Sequence, residues 1–95
     1  MTKVYIAGPI TGVEGYERRF NEAAERIKRL GLEPVNPIGP GLVDGADYKY
    51  YIDRGLKMLM ESDVVLLLPG WTKSKGARLE EMYARICGLP VIEEA

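Results

Sequence analysis

Glutamate, aspartate and tyrosine are the residues in this chain that could carry out acid–base or nucleophilic chemistry on a small molecule. Glu80 lies in a segment that reads Gly-Ala-Arg-Leu-Glu-Glu and opens a predicted helix, whose N-terminus should keep it ionised. An ionised carboxylate at the floor of a cleft can act as a nucleophile. Asp53 is the candidate for the second carboxylate that glycosidic chemistry needs. The simpler alternatives are dipole compensation for Glu80 and solvation or helix capping for Asp53.

A glycine-containing loop at residues 8–12 is the second candidate feature. Two glycines at a strand-to-helix turn let backbone N–H groups approach an anion, and the N-terminus of the next helix favours negative charge. The loop lacks the Gly-Lys-Ser/Thr ending of a Walker loop and the Gly-x-Gly-x-x-Gly pattern, so a glycine needed only for the turn is the alternative. The candidate binding residues in this loop are Gly8, Pro9, Ile10 and Gly12.

The composition excludes several other kinds of site. Without histidine the chain can build neither a Ser-His-Asp nor a Cys-His system, and no His-ligated metal site. The single cysteine, Cys87, can form neither an internal disulfide nor a cysteine-rich zinc site, and it is expected to be a small core residue. With 13 basic and 14 acidic residues the net charge is −1, which disfavours a nucleic-acid polymer as partner. We expect no metal and no cofactor.

The length of 95 residues predicts one domain over 1–95, and a hydrophobic content of 46% is enough for a core. The longest apolar run, residues 64–68, is too short to cross a bilayer. The first residues resemble a strand rather than a signal peptide. We therefore expect no membrane association and a cytoplasmic location.

Four short apolar segments are predicted to be strands, at residues 4–7, 32–37, 63–68 and 90–92. The third has the continuous Val and Leu content of a buried parallel strand. Pro34 removes a hydrogen-bond donor from the second, which predicts an edge position for that strand.

Three helices are predicted between these strands, the second capped by Asp47 and the third covering residues 77–87. The side chains expected to face the core are Tyr16, Phe20, Ala23, Ile27 and Leu30 in the first helix, Ile52, Leu56, Leu59 and Met60 in the second, and Leu79, Met82, Tyr83 and Ile86 in the third.

The resulting element order is β-α-β-α-β-α-β. Right-handed crossovers then predict an α/β fold with three layers, in which helices cover both faces of a doubly wound, four-stranded parallel sheet. We expect a flavodoxin- or Rossmann-like strand order of 2-1-3-4. Ligands bind such sheets beyond the carboxyl ends of the strands, at the point where the winding reverses. The loops after the first and third strands are therefore the expected site.

Three segments together resemble the nucleoside 2-deoxyribosyltransferase superfamily. They read Tyr-Ile-Ala-Gly-Pro at residues 5–9, Asp-Arg-Gly-Leu at 53–56 leading to Ser-Asp-Val-Val at 62–65, and Gly-Ala-Arg-Leu-Glu at 76–80. The chain looks like a small, DUF4406-like member and is similar to the 2′-deoxynucleoside 5′-monophosphate N-hydrolases. The resemblance spans nearly the whole chain.

The resemblance implies a role for each matching residue. Glu80 matches the nucleophile that attacks C1′, Tyr5 the tyrosine that orients it, and Asp53 the acid that handles the leaving base. Ser74 matches a position where the hydrolases have a serine that contacts the 5′-phosphate and the transferases an aspartate that reads the free 5′-hydroxyl. The family usually continues past the last strand, and that tail or a neighbouring subunit completes the pocket.

Other residues near the predicted site have two interpretations each. Trp71 could stack on a base or lie in an interface, and Gly76 opens the third helix beside Ser74. Basic residues around Ser74 favour a phosphorylated ligand, although a solvated loop is their ordinary role; they are Lys73, Lys75 and Arg78. The glycine- and proline-rich loop at residues 37–46 is of a length that is often functional. A cluster of tyrosines favours a homodimer or higher homo-oligomer, and these are Tyr48, Tyr50 and Tyr51.

These observations predict an N-glycosidase or deoxyribosyltransferase-like protein that cleaves or transfers the base of a (deoxy)nucleoside 5′-monophosphate through a glutamate nucleophile. The ligand would be a nucleoside or nucleotide. The alternative is a non-catalytic module that binds a nucleotide or an ADP-ribose-type ligand. A weaker similarity, to cytokinin-type phosphoribohydrolases, is disfavoured because Trp71 replaces a glycine of their motif and the threonine is missing.

Overall fold

A parallel sheet of four strands is the centre of the fold in the computed structural model, which describes residues 1–94. The strands are β1 (Lys3–Ala7), β2 (Glu33–Val35), β3 (Val64–Leu67) and β4 (Val91–Glu93). The helices are α1 (Tyr16–Arg29), α2 (Tyr48–Met60) and α3 (Lys75–Ile86), and a 3₁₀ turn covers Trp71–Lys73. The strand order is β2-β1-β3-β4, which confirms the predicted α/β fold and the order 2-1-3-4.

The strand register explains why β1 and β3 are central. Tyr5 of β1 lies opposite Val65 of β3, and the four-residue run of Val and Leu in β3 pairs with β1 on one side and β4 on the other. Pro34 lies opposite Val4 in β2, at the edge of the sheet. The missing N–H of proline therefore interrupts no bond to a further strand.

Helices cover both faces of the sheet because side chains alternate along β1. Val4 and Ile6 point to one face, where they pack with the buried residues of α1, which are Phe20, Ala23, Ala24 and Ile27. Tyr5 and Ala7 point to the other face, where α2 and α3 supply Leu59 and Ala84.

The third helix does not bury the apolar face that its periodicity predicts. Leu79, Met82 and Ile86 are 41%, 58% and 79% exposed, whereas Ala77 and Ala84 are buried. Small side chains let a helix lie close to a sheet, so the two alanines face inward. Of the four residues predicted to face the core, Tyr83 does pack against it. Glu80 lies three residues after Ala77 and four before Ala84, and it therefore shares their inward face.

Three smaller expectations about burial are also wrong. Met60 and Leu30 are exposed, and Leu30 lies just beyond the end of α1. Cys87 is exposed rather than in the core, because it caps the C-terminal end of α3 after the last helical residue. The expected cap of α2 is present, since the Asp47 carboxylate accepts a hydrogen bond from the Tyr50 N–H at 3.0 Å.

No helix within residues 1–94 is both long enough and apolar enough to cross a membrane.

Phe20 tests the packing of α1 on the sheet. It is buried in the core with Val4 and Ile6, and a Phe→Ala substitution in such a position costs about 3–5 kcal/mol. Phe20→Ala should therefore lower the free energy of unfolding by that amount in urea titrations. Leu30→Ala is the matched control and should change it by less than about 0.5 kcal/mol, because Leu30 is exposed. Equal effects of the two substitutions would contradict this packing.

Candidate active site

A cavity of about 340 Å³ opens beyond the carboxyl end of β1. Its wall is formed by the loop after β1, the loop before α2, one side of α2 and the first turns of α3. This is the edge of the sheet where the loops after the first and third strands were expected to form a site. Three charged residues line it, Glu17, Arg54 and Glu80.

Tyr5 and Glu80 meet at the floor of this cavity. The Tyr5 hydroxyl, on the central strand β1, donates a hydrogen bond to the Glu80 carboxylate on α3. Gly55 of α2 faces the same pair. A Cβ atom on Gly55 would lie 2.9 Å from Glu80 Oε2 and 3.0 Å from the Tyr5 hydroxyl oxygen, so only glycine leaves this contact undisturbed.

The surroundings of Glu80 favour its neutral form. Burial raises the pKa of Glu80 from 4.5 to about 7, although the hydrogen bond from Tyr5 acts in the opposite direction. Burial and the neighbouring Glu80 raise the pKa of Tyr5 well above its usual value, so its hydroxyl keeps its proton. The expectation that a helix N-terminus keeps Glu80 ionised is wrong, because α3 begins at Lys75 and Glu80 lies in its second turn.

Asp53 does not lie in the cavity with Glu80. Its side chain is 64% exposed and forms an ion pair with Lys57 at 3.0 Å, one helical turn further along α2. The inward face of α2 is formed by Ile52, Gly55 and Leu59, at spacings of three and four residues. The structure thus brings Tyr5 and Glu80 together and leaves Asp53 on the outer face.

The loop after β1 divides its predicted residues among different surroundings. Gly8 and Ile10 line the cavity. Pro9 lines a second, neighbouring cavity, and Gly12 lines neither. Gly8 is required by packing, since a Cβ atom there would lie 2.9 Å from Leu68 Cβ.

At the start of α3, Ser74 and Gly76 line the cavity. Ser74 is also the N-cap of α3, because its hydroxyl oxygen accepts a hydrogen bond from the Ala77 N–H at 3.2 Å. Trp71 lines neither cavity and packs against the core cluster that contains Tyr5 and Leu59. Its buried indole N–H finds no acceptor within residues 1–94.

Arg54 is the residue on the cavity wall that sequence reasoning missed most clearly. Its guanidinium lies 5.1 Å from the ring centre of Tyr51 and 5.8 Å from that of Tyr50, which are cation–π distances. It is adjacent to Gly55 in the sequence. The helical spacing from Ile52 could have identified Gly55 and its neighbour as facing the site.

The loop before α2 closes one side of the cavity with Pro37, Ile38 and Leu42. The Tyr51 hydroxyl holds this loop against α2, since it accepts from the Val43 N–H at 2.8 Å and donates to the Val43 carbonyl at 3.1 Å. Tyr51 therefore acts as a structural support for the wall of the cavity.

Comparison with solved structures shows that this fold is shared with proteins named as 2-deoxyribosyltransferases. The 2-deoxyribosyltransferase of the psychrotolerant bacterium Bacillus psychrosaccharolyticus superposes with a TM-score of 0.76 at 18% identity, over 97% of this chain and 71% of that one. The 2-deoxyribosyltransferase of Leishmania mexicana gives 0.75 at 17% identity, over 98% and 63%. A conserved protein from Enterococcus faecalis V583 gives 0.73 at 24% identity, over 98% and 62%. The chain thus spans less than two thirds of the length of the last two proteins.

The sequence itself belongs to the DUF4406 family, a domain of unknown function whose model matches residues 2–93. No curated protein matches the chain.

Replacing Glu80 with glutamine tests how strongly the site disfavours the carboxylate. The folded-state pKa of about 7 lies above the ordinary 4.5. The neutral form therefore contributes stability that is complete below pH 4.5 and is lost as the pH rises through 7. Glu80→Gln should raise the melting temperature at pH 8 by about 5 °C or more and change it little at pH 4.5.

The matched control is Glu81→Gln, since Glu81 is the next residue, pairs with Arg85 one turn further along α3 and does not line the cavity. It should not reproduce the gain at pH 8. If Glu80→Gln shifted the melting temperature by the same amount at pH 4.5 and at pH 8, the raised pKa of Glu80 would be contradicted.

Proposed function

We propose that this protein cleaves or transfers the base of a nucleoside 5′-monophosphate, with Glu80 as the nucleophile. The observation that supports this most is the position of Glu80, at the floor of the cavity and held by the Tyr5 hydroxyl. The fold is shared with proteins named as 2-deoxyribosyltransferases, which brings a nucleoside to this chain as the proposed substrate class.

In the proposed step, a Glu80 carboxylate oxygen forms a bond to C1′ of the sugar while the bond from C1′ to the base nitrogen breaks. The electron pair of that bond leaves with the base, which takes up a proton. Water then attacks C1′ and frees Glu80, giving hydrolysis, or a second base attacks and gives transfer. The developing positive charge at C1′ is stabilised by the carboxylate, as in retaining glycosidases.

Tyr5 has a positioning role in this proposal. Its hydroxyl donates to one carboxylate oxygen of Glu80, which leaves the other to attack. The rigid attachment of Tyr5 to the central strand fixes the direction of the carboxylate. Gly55 of α2 leaves space for this pair because it has no side chain.

In this proposal the proton for the leaving base comes from a carboxylate other than Asp53, whose side chain pairs with Lys57 outside the cavity. Glu17, in the first turn of α1, is the other carboxylate on the cavity wall within the described part of the chain. We assign it the role of proton donor that the sequence suggested for Asp53.

The location of Asp53 also supports a second function, a module that binds a nucleotide without cleaving it. Within residues 1–94, Glu80 is the one carboxylate at the cavity floor, and the α2 position that faces it is a glycine. Tight binding of a nucleotide with no release of base would identify this alternative.

The homo-oligomer and the cytoplasmic location expected from the sequence stay predictions. The end of the loop before α2 and the first turn of α2 carry exposed side chains that a second copy could cover, namely Leu42, Val43, Tyr48 and Tyr50.

The first functional test measures by chromatography whether the protein releases free base from a panel of deoxynucleosides and their 5′-monophosphates. Because Glu80 must be ionised to attack, kcat/KM should rise with pH through about 7 and then level off. Glu80→Gln should lower the rate at least about 1000-fold, while Glu81→Gln should retain it. Retained cleavage by Glu80→Gln would remove the nucleophile assignment.

The second test concerns Ser74 and the phosphate. Ser74→Asp and Ser74→Asn both keep a residue that caps a helix well, but only aspartate adds a negative charge next to the proposed phosphate. Ser74→Asp should weaken binding of a monophosphate by about tenfold or more relative to Ser74→Asn. Binding of the unphosphorylated nucleoside should differ little between the two variants, as calorimetry can measure. Equal affinity of the parent protein for both ligands would contradict the phosphate subsite.

A further inference from the structure

A second cavity, of about 620 Å³, lies next to the first. The two share Thr11, Tyr48 and Ser74 on their walls, so a ligand in one can extend into the other past these side chains. The second cavity lies between the loop after β1, the start of α1 and the turn that leads into α3.

The charge of the second cavity differs from that of the first. Arg19, Lys73 and Lys75 line it, and no aspartate or glutamate does. Among the residues that the structure describes, none of these three cations forms an ion pair with a carboxylate. Positive charges gathered around a cleft without acidic neighbours concentrate an attractive field for anions.

Arg19 is held in place at this cavity. Its guanidinium donates a hydrogen bond to the Pro69 carbonyl at 2.7 Å, which connects α1 to the loop after β3. A guanidinium has five N–H donors, so this bond leaves donors for an anion. Lys73 and Lys75 lie on either side of Ser74 in the sequence, the residue that the two cavities share.

A single phosphate bound at Ser74 would lie where the two cavities meet and would leave the second, basic cavity empty. A second phosphate linked to the first would extend past Ser74 toward Lys73 and Lys75. We propose that the basic cavity binds the second phosphate of a ligand that carries two linked phosphates. The inference rests on the proposed function in that the first cavity is taken to hold the nucleoside.

Two sources share this chemistry: a nucleoside 5′-diphosphate, whose second phosphate is terminal, and an ADP-ribose-type ligand, in which each phosphate is bonded to one sugar and to the other phosphate. A terminal phosphate carries more negative charge than one that is esterified to a second sugar. The three cations of the cavity therefore favour the nucleoside diphosphate, and direct comparison of ADP with ADP-ribose distinguishes the two.

The experiment is calorimetry at 0.15 M salt with EDTA present, using inorganic phosphate, pyrophosphate, AMP, ADP and ADP-ribose as probes. Pyrophosphate should bind about tenfold more tightly than phosphate, and ADP about tenfold more tightly than AMP. The double variant Lys73→Gln/Lys75→Gln should remove most of both differences. Lys28→Gln is the control, since Lys28 lies in the last turn of α1 and pairs with Glu25.

Equal affinities for phosphate and pyrophosphate would overturn the proposal, and so would a preference for pyrophosphate that survives in the double variant. A preference that Lys28→Gln also removes would show a general charge effect and overturn it as well. These binding measurements need no cleavage. If the protein released no base but still preferred pyrophosphate, the proposed enzymatic function would be refuted and the proposal for the basic cavity would stand.

Discussion

The contact between Tyr5 and Glu80 constrains the packing of α2 and α3 on the sheet. Tyr5 is fully buried on the central strand, and a buried hydroxyl needs a hydrogen-bond partner. Glu80 supplies it, which requires α3 to approach the sheet closely enough for a carboxylate to reach β1. That approach is possible because Ala77 and Ala84 are the other residues on the inward face of α3. The packing of the helix and the chemistry of the site are therefore set by the same contact.

The same contact determines what α2 can present. A side chain at residue 55 would collide with the Glu80 carboxylate, so the helix interior has a glycine where an alanine would favour the helical state by about 1 kcal/mol. Burying Glu80 adds a second unfavourable term, visible as the raised pKa. The glycine in α2 and the burial of Glu80 thus each lower the stability of the fold around this one carboxylate. Such a combination of perturbed pKa and cavity is typical of functional sites rather than of a structural ion pair.

The strand order could be predicted from strong local signals in the sequence. The inward faces of the helices could not. The Val and Leu run near residues 64–68 and the proline in β2 define a central and an edge strand in almost any arrangement of this sheet. Hydrophobic periodicity, in contrast, gives weight to large side chains. It selected Leu79 for the inward face of α3, although close packing on the sheet needs small residues and selects Ala77. Asp53 was chosen for the site for another reason, the need for a second carboxylate together with the family resemblance. Gly55 was overlooked, because a missing side chain leaves no chemical signal in a sequence.

The charged residues around the two cavities lie in different parts of the fold. Glu80 lies at the floor of the first cavity, where the Tyr5 hydroxyl donates a hydrogen bond to its carboxylate. Lys73, in the 3₁₀ turn after β3, and Lys75, the first residue of α3, are exposed, so solvent can hydrate both cations. Ser74 separates the two regions with a neutral hydroxyl that is already engaged in capping α3. A ligand that is neutral at its sugar and anionic at its phosphates matches this division, since its charge would lie with the lysines and its C1′ carbon near the carboxylate. Under the proposed function, the carboxylate at the floor and the cations of the second cavity would contact the two ends of one molecule, and the length of its anionic part would decide how much of the second cavity it uses.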